Sequence, residues 1–153
     1  MVVYKIKMNN QKEPAFVLKD NKKIADFKYY NSPHNYNFTF DEKNYEIVIK
    51  KTIKPVIKLD LNSTTVGSAL ISKGLFFLKV EVSFFDQQYI LKKYFFTRNM
   101  IILNANQKIG NVMPDGILSD NIKILINSEE SELLGIFIGW LVFFSWLYTY
   151  QFA

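Results

Sequence analysis

The sequence predicts a mainly β protein, a closed antiparallel barrel of about twelve strands that encloses one hydrophobic C-terminal helix. Three observations support this fold class. Apolar and polar residues alternate through most of residues 1–127, which is the period of a strand with one buried face. Turn-forming residues interrupt this alternation at short intervals. A long uncharged apolar segment then follows at residues 133–150.

Length and composition fit one domain that covers residues 1–153. A chain of 153 residues and 18.0 kDa can bury one core without covalent staples. Apolar residues make up 49% of the chain and aromatic residues 16%, which excludes a disordered protein. The sequence contains no cysteine and a single histidine, so disulfides, thiolate metal sites and histidine metal clusters are excluded.

The strands of residues 1–127 are predicted from the alternation, and residues 75–85 give the clearest example. Phe76, Leu78 and Val80 share one face there, while Lys79 and Glu81 lie on the other. A sheet of this length is expected to curl and close, which removes its two edges. In chain order the predicted strands are 2–8, 14–19, 22–30, 34–40, 44–52, 55–61, 65–71, 75–85, 88–97, 100–104, 107–113 and 120–127.

The last predicted element is a hydrophobic helix at residues 129–151. Its residues 133–150 are nearly all apolar, and these 18 residues would span about 27 Å, just enough for a bilayer. Gly135 and Gly139 also form a GxxxG pair, which is typical of membrane helices. A C-terminal membrane anchor is therefore one alternative.

The acidic residues before this segment favour a helix enclosed by protein instead. A cytoplasmic flank of a membrane helix usually carries Lys or Arg, whereas Glu129, Glu130 and Glu132 precede this one. Carboxylates suit the positive end of a helix dipole, and Asn127 or Ser128 could cap the helix there.

One hairpin pattern recurs in the sequence. Residues 16–27 align with residues 101–112, and residues 57–67 form a looser third copy. The first two read as an apolar residue, Leu, an Asx-rich turn, Lys-Ile and a small residue. The small residue marks a point of close packing.

The strand number, the element order, the hairpin at residues 103–110 and the final helix resemble the tubby C-terminal-like superfamily. This superfamily includes the LURP-one-related proteins and the phospholipid scramblases. The resemblance implies a barrel around a hydrophobic helix, and a link to phosphoinositide binding or membrane signalling. It also implies roles for six helix residues in the lumen, through close approach at the glycines and filling by aromatic rings: Gly135, Gly139, Trp140, Phe143, Phe144 and Trp146.

Two clusters of basic residues are the candidate binding sites. The net charge is +5 and comes almost entirely from lysine. The first cluster lies on one predicted hairpin, with Lys50 and Lys58 expected on the outer face. Basic residues beside aromatic ones can bind an anionic membrane surface. The two clusters comprise Lys50, Lys51, Lys54 and Lys58, and Lys92, Lys93 and Arg98.

No residue pattern predicts catalysis. His34 stands alone in a turn-like segment, and no phosphate loop, nucleophile elbow or HExxH motif occurs. We therefore expect a protein that is not an enzyme, has no cofactor or metal, and has no small-molecule substrate. Sequence-specific DNA reading relies on arginine forks, so a single arginine makes nucleic acid an improbable partner.

Three functions remain open from the sequence. The first is a tubby-like, LURP-one-like or scramblase-like barrel that binds anionic lipid or a membrane-associated partner through its lysine-rich outer face. The second is a tail-anchored protein with a small β domain. The third is a protein-binding module of the inhibitor or immunity type. The first residues contain no secretory h-region, so the first function implies a cytoplasmic protein peripheral to a membrane.

Overall fold

The computed structural model describes residues 1–29, 35–50, 53–94 and 97–151. The described strands form a closed antiparallel barrel, in which each strand pairs with its neighbours in the sequence and the first pairs with the last. The predicted fold class is therefore confirmed. The elements are β1 (Val2–Met8), β2 (Pro14–Lys19), β3 (Lys22–Tyr29), β4 (Asn35–Phe40), β5 (Lys43–Lys50), β6 (Val56–Leu61), β7 (Thr64–Lys73), β8 (Phe77–Phe84), β9 (Gln87–Tyr94), β10 (Met100–Asn104), β11 (Gln107–Pro114), β12 (Ile122–Ile126) and α1 (Glu132–Gln151).

Strand bounds match the alternation closely, with one instructive difference at β8. The prediction placed Phe76 in the inward row of this strand. In the structure Phe76 precedes the strand and its side chain is 64% exposed. The reason is a hydrogen bond of 2.8 Å from the Gly74 amide to the Phe77 carbonyl oxygen, which makes residues 75 and 76 the centre of a turn.

The two ends of the barrel differ in their connections. At one end, which we call the turn end, strands are joined by two-residue turns at residues 20–21, 41–42, 62–63, 85–86 and 105–106. Asp20 and Asn21 have φ values of 48° and 69°, and such paired positive angles suit the twist of a tight hairpin. The other end, which we call the loop end, has longer connections, among them residues 9–13, 74–76 and 115–121.

The hairpins of the internal repeat share a β-bulge at the same point. The register shifts after the pairs Val17–Ala25, Leu59–Gly67 and Ile102–Gly110. The extra residue is apolar each time and packs on the core next to the small residue: Ile24, Val66 and Ile109. The hairpins β4–β5 and β8–β9 show no such shift. Bulged hairpins therefore recur every fourth strand around the turn end.

The helix α1 fills the lumen of the barrel. Every residue from 133 to 143 is buried, on all sides of the helix. A Cβ on Gly135 would lie 2.8 Å from Tyr4 Cζ, and one on Gly139 would lie 2.6 Å from Ile6 Cγ1. The two glycines thus let β1 run directly against the helix backbone.

Aromatic rings fill the remaining space around the helix. Trp140 is fully buried and lies 5.1 Å from the Tyr36 ring and 5.4 Å from the Phe144 ring. Phe143 and Trp146 are each 6% exposed, closer to the loop end. Leu147 is 38% exposed because it lies where the helix reaches that end.

The helix begins at Glu132, three residues later than predicted. The Leu134 amide donates to Ser131 Oγ at 3.1 Å, so Ser131 is the cap rather than Asn127 or Ser128. Lys19 Nζ donates to Glu132 Oε1 at 3.2 Å, which ties the first turn to the barrel wall. Within the residues described, no helix combines the length and the apolar character needed to cross a membrane.

Candidate functional site

The first basic cluster lies on the outer wall, on β5, β6 and the connection between them. Lys50 and Lys58 alternate with Ile49, which is partly buried against the core, and Ile57, which is fully buried, and they therefore point outward. Lys50 is exposed and Lys58 is half-buried, and no described ion pair involves either of them. Lys54 is exposed at the loop end, while Lys51 lies outside the described residues.

The second basic cluster is divided by the barrel wall. Lys92 is exposed on the outer face, opposite Lys79 on β8. Lys93 points into the barrel and is only 4% exposed, so it does not belong to the outer surface. Burial, and then the charge of Arg98, lower the pKa of Lys93 from its ordinary value. The alternation of β9 sends these two neighbours in opposite directions.

Arg98 lies at the loop end over the end of the helix. Its guanidinium carbon is 4.2 Å from the centre of the Trp146 ring, a cation–π contact. A cavity of about 300 Å³ opens beside this pair at the mouth of the barrel. The residues that line it are Met8, Lys12, Arg98, Asp120, Phe143, Trp146 and Leu147.

An acidic residue separates the two clusters on the outer wall. The row that begins at Lys50 continues through Val56 and Leu70 to Glu81. Glu81 forms an ion pair of 2.9 Å with Lys79. A depression of about 410 Å³ spans this part of β6–β9, and no lysine lines it. The clusters therefore do not merge into one continuous basic groove.

Charge is distributed unevenly between the two ends of the barrel. Half of the 14 acidic residues lie in the turns of the turn end, just before the helix or at its first position: Asp20, Asp41, Glu42, Asp86, Glu129, Glu130 and Glu132. The connections of the loop end carry Glu13, Asp115 and Asp120. Asp115 is paired with Lys5 and Lys7, at 3.8 Å and 3.5 Å, and Asp120 with Lys12 at 3.7 Å. The turn end thus carries more of the acidic residues than the loop end, where Asp115 and Asp120 are ion-paired.

The buried tyrosines at the turn end are structural groups. Tyr4 is fully buried against Gly135, and burial, followed by the charges of Glu132 and Asp20, raises its pKa to about 12. Tyr89 donates a hydrogen bond of 2.7 Å to Glu130, and burial with this bond raises the pKa of Tyr89. Both stay protonated at neutral pH and hold the start of the helix in place.

The described residues bring together no catalytic constellation. No group of three or more His, Asp or Glu side chains within them could hold a metal ion. His34 lies outside the part of the chain that the structure describes. The outer wall and the loop end carry exposed charged side chains, among them Lys50, Lys54 and Lys92.

Sequence analysis missed a set of apolar side chains exposed at the loop end. Ile53 is 100% exposed, Leu75 81%, Ile117 97% and Leu118 95%. Each lies in a connection beside a turn residue, Pro55, Gly74 or Gly116. An apolar residue inside a turn segment was the signal that could have revealed them.

Comparison with known proteins adds no relative to this picture. The chain matches no protein-family model, and the comparisons with curated proteins and with solved structures found no match either.

Proposed function

We propose that this protein is a non-enzymatic barrel of the tubby-like, LURP-one-like or scramblase-like type, which binds an anionic membrane surface. It would act at the cytoplasmic face of a membrane, where anionic lipids attract polybasic segments. The proposal rests on the resemblance in strand number, element order and final helix, and on the basic residues of the barrel.

The observation that carries the proposal is the position of the first basic cluster. Lys50, Lys54 and Lys58 lie on one side of the barrel towards the loop end. Most of the acidic turn residues lie at the opposite end. A molecule polarised in this way is attracted to an anionic surface with its loop end first.

Vesicle co-sedimentation tests this proposal. The wild-type chain is expected to bind vesicles that contain about 30% phosphatidylserine, an anionic content similar to that of a cytoplasmic leaflet. It should not bind vesicles of phosphatidylcholine alone, and its binding to the anionic vesicles should weaken as the salt concentration rises. The variant K50E/K54E/K58E should bind at least about ten-fold more weakly, because each lysine near the surface contributes about 1 kcal/mol.

A matched control separates cluster position from net charge. The variant K22E/K43E/K108E makes the same change in charge with three exposed lysines at the turn end. It is expected to bind much like the wild type. The proposal would be overturned if the wild-type chain did not bind anionic vesicles. It would also be overturned if K50E/K54E/K58E and K22E/K43E/K108E bound them equally well.

A further inference from the structure

Exposed apolar side chains are concentrated at one end of the barrel. Nine large apolar side chains are exposed within the described residues, and two of them, Met1 and Phe85, belong to the turn end. The other seven lie at the loop end: Ile53, Leu75, Phe76, Phe77, Ile117, Leu118 and Leu147. Exposed apolar clusters of this kind mark interaction surfaces.

These side chains project from separate connections rather than lining one groove. Ile53 lies between β5 and β6, and Leu75 and Phe76 lie between β7 and β8. Ile117 and Leu118 lie between β11 and β12. Around the closed barrel, β12 is five strands away from β5. The exposed tips therefore stand on opposite sides of the mouth, with Leu147 of the helix between them.

This arrangement fits a fluid apolar layer better than a folded protein. A protein partner offers a surface of fixed shape, which needs a contiguous apolar patch at the centre of the contact. A bilayer accepts isolated apolar tips wherever they project, provided that the flanking residues are basic. Exposed Lys54 adjoins Ile53, and Asp115 and Asp120, which flank Ile117 and Leu118, are ion-paired with lysines.

We infer that the protein docks end-on to an anionic bilayer and inserts three apolar tips into it. The tips are Ile53, the pair Leu75 and Phe76, and the pair Ile117 and Leu118. The barrel axis stands upright on the membrane, with the C-terminal part of the helix facing the lipid. This inference rests on the proposed function, since it takes the anionic membrane as the partner, and it adds the surface and the mode of contact.

Tip variants test the insertion against a control at the other end. I117S/L118S and L75S/F76S should each bind phosphatidylserine vesicles about ten-fold more weakly than the wild type, because each loses buried CH₂ groups. F85S removes an apolar side chain that is 65% exposed at the turn end, and it should bind like the wild type. Unlike the loss in K50E/K54E/K58E, the loss in the tip variants should persist at high salt.

A site-specific probe reports the depth of the tips directly. The chain has no cysteine, so a single introduced thiol can be labelled cleanly with an environment-sensitive fluorophore. With vesicles added, the label on L118C and on I53C should shift its emission to the blue. The label on F85C should not. Melting curves without lipid verify that each variant keeps the wild-type fold.

The outcomes distinguish the inference from the proposed function. If the wild type binds anionic vesicles but the tip variants bind equally and the tip labels do not shift, the protein is a surface-bound barrel and insertion is overturned. A shift at F85C together with L118C would overturn the upright orientation. If the wild type binds no vesicles, while the tip variants abolish self-association measured by light scattering, the tips serve a protein contact and both proposals fail.

Discussion

The absence of a Cβ determines how closely the helix can approach the barrel wall. Gly135 and Gly139 lie one turn apart on α1, and both face β1. A Cβ at Gly139 would collide with Ile6, which is fully buried. The same helix meets the bulged hairpin β6–β7 on its other side, where a Cβ on Gly67 would lie 3.2 Å from Phe137 Cε2. A side chain at Gly135 or Gly139 would therefore clash with β1, whereas one at Gly67 would need Phe137 or Phe84 to shift by a few tenths of an ångström.

A double-mutant cycle tests this contact. Gly139→Ala should lower the free energy of unfolding by about 1–3 kcal/mol through overpacking, although alanine favours a helix over glycine by about 1 kcal/mol. Ile6→Val removes the Cδ1 atom that meets the new methyl group, so Gly139→Ala should cost less in that background by about 0.5 kcal/mol or more. Urea denaturation of the four proteins measures the coupling. Equal costs in both backgrounds would show that the clash is not with the Cδ1 atom of Ile6.

The strands could be predicted from the sequence because the alternation of apolar and polar residues determines which side chains face the core. β1, β2 and β10 have the predicted bounds. The hairpin repeat was also readable, because a bulge turns an apolar residue and a small residue inward together. Alternation alone does not show where a strand ends, so Phe76 was placed inside β8 and the exposed tips were missed. Lys93 was grouped with Lys92 by adjacency, although neighbours on a strand face opposite sides.

The residue that caps α1 is a second feature that residue preferences alone did not determine. Several residues before the helix are good caps, and only hydrogen bonding selects Ser131 among them. Tertiary contacts hold the chain on either side of Ser131. Before it, the Asn127 amide donates to the Ile109 carbonyl oxygen at 3.1 Å, and after it, Glu132 accepts a hydrogen bond from Lys19. The segment between β12 and α1 is thus held to the wall before the helix begins.

Ser131→Ala should lower the free energy of unfolding by about 1 kcal/mol, because it leaves the Leu134 amide without its acceptor. Ser128 is exposed in the same connection and caps nothing, which makes Ser128→Ala the matched control, with an expected effect below about 0.5 kcal/mol. Thermal or urea unfolding followed by circular dichroism compares the two. A larger loss of stability for Ser128→Ala than for Ser131→Ala would show that Ser128, one of the two caps predicted from the sequence, caps the helix.

At the scale of the whole molecule, the barrel and the helix depend on each other. A barrel of about eight strands can be filled by its own side chains, whereas wider barrels enclose something else. Here twelve strands surround a helix about 30 Å long. The inward rows and the helix share one core, in which Trp140, Phe137 and Tyr4 are among the largest fully buried side chains.

Removal of residues 131–153 is therefore expected to unfold the whole barrel rather than leave a smaller stable domain. The deletion takes away both tryptophans and several core phenylalanines and leaves the inward strand faces without a partner. Truncating one such ring costs about 3–5 kcal/mol, and a domain has only about 5–15 kcal/mol of net stability. Circular dichroism melts and solubility of both chains, in buffer without detergent, measure the effect, with the full chain as the control. The truncated chain should aggregate or show no cooperative transition, since twelve strands with an open apolar lumen expose their core to water. A soluble fragment of residues 1–130 that melts cooperatively would mean that the strands collapse onto a core of their own, and the helix would then be an accessory to the barrel instead of its centre.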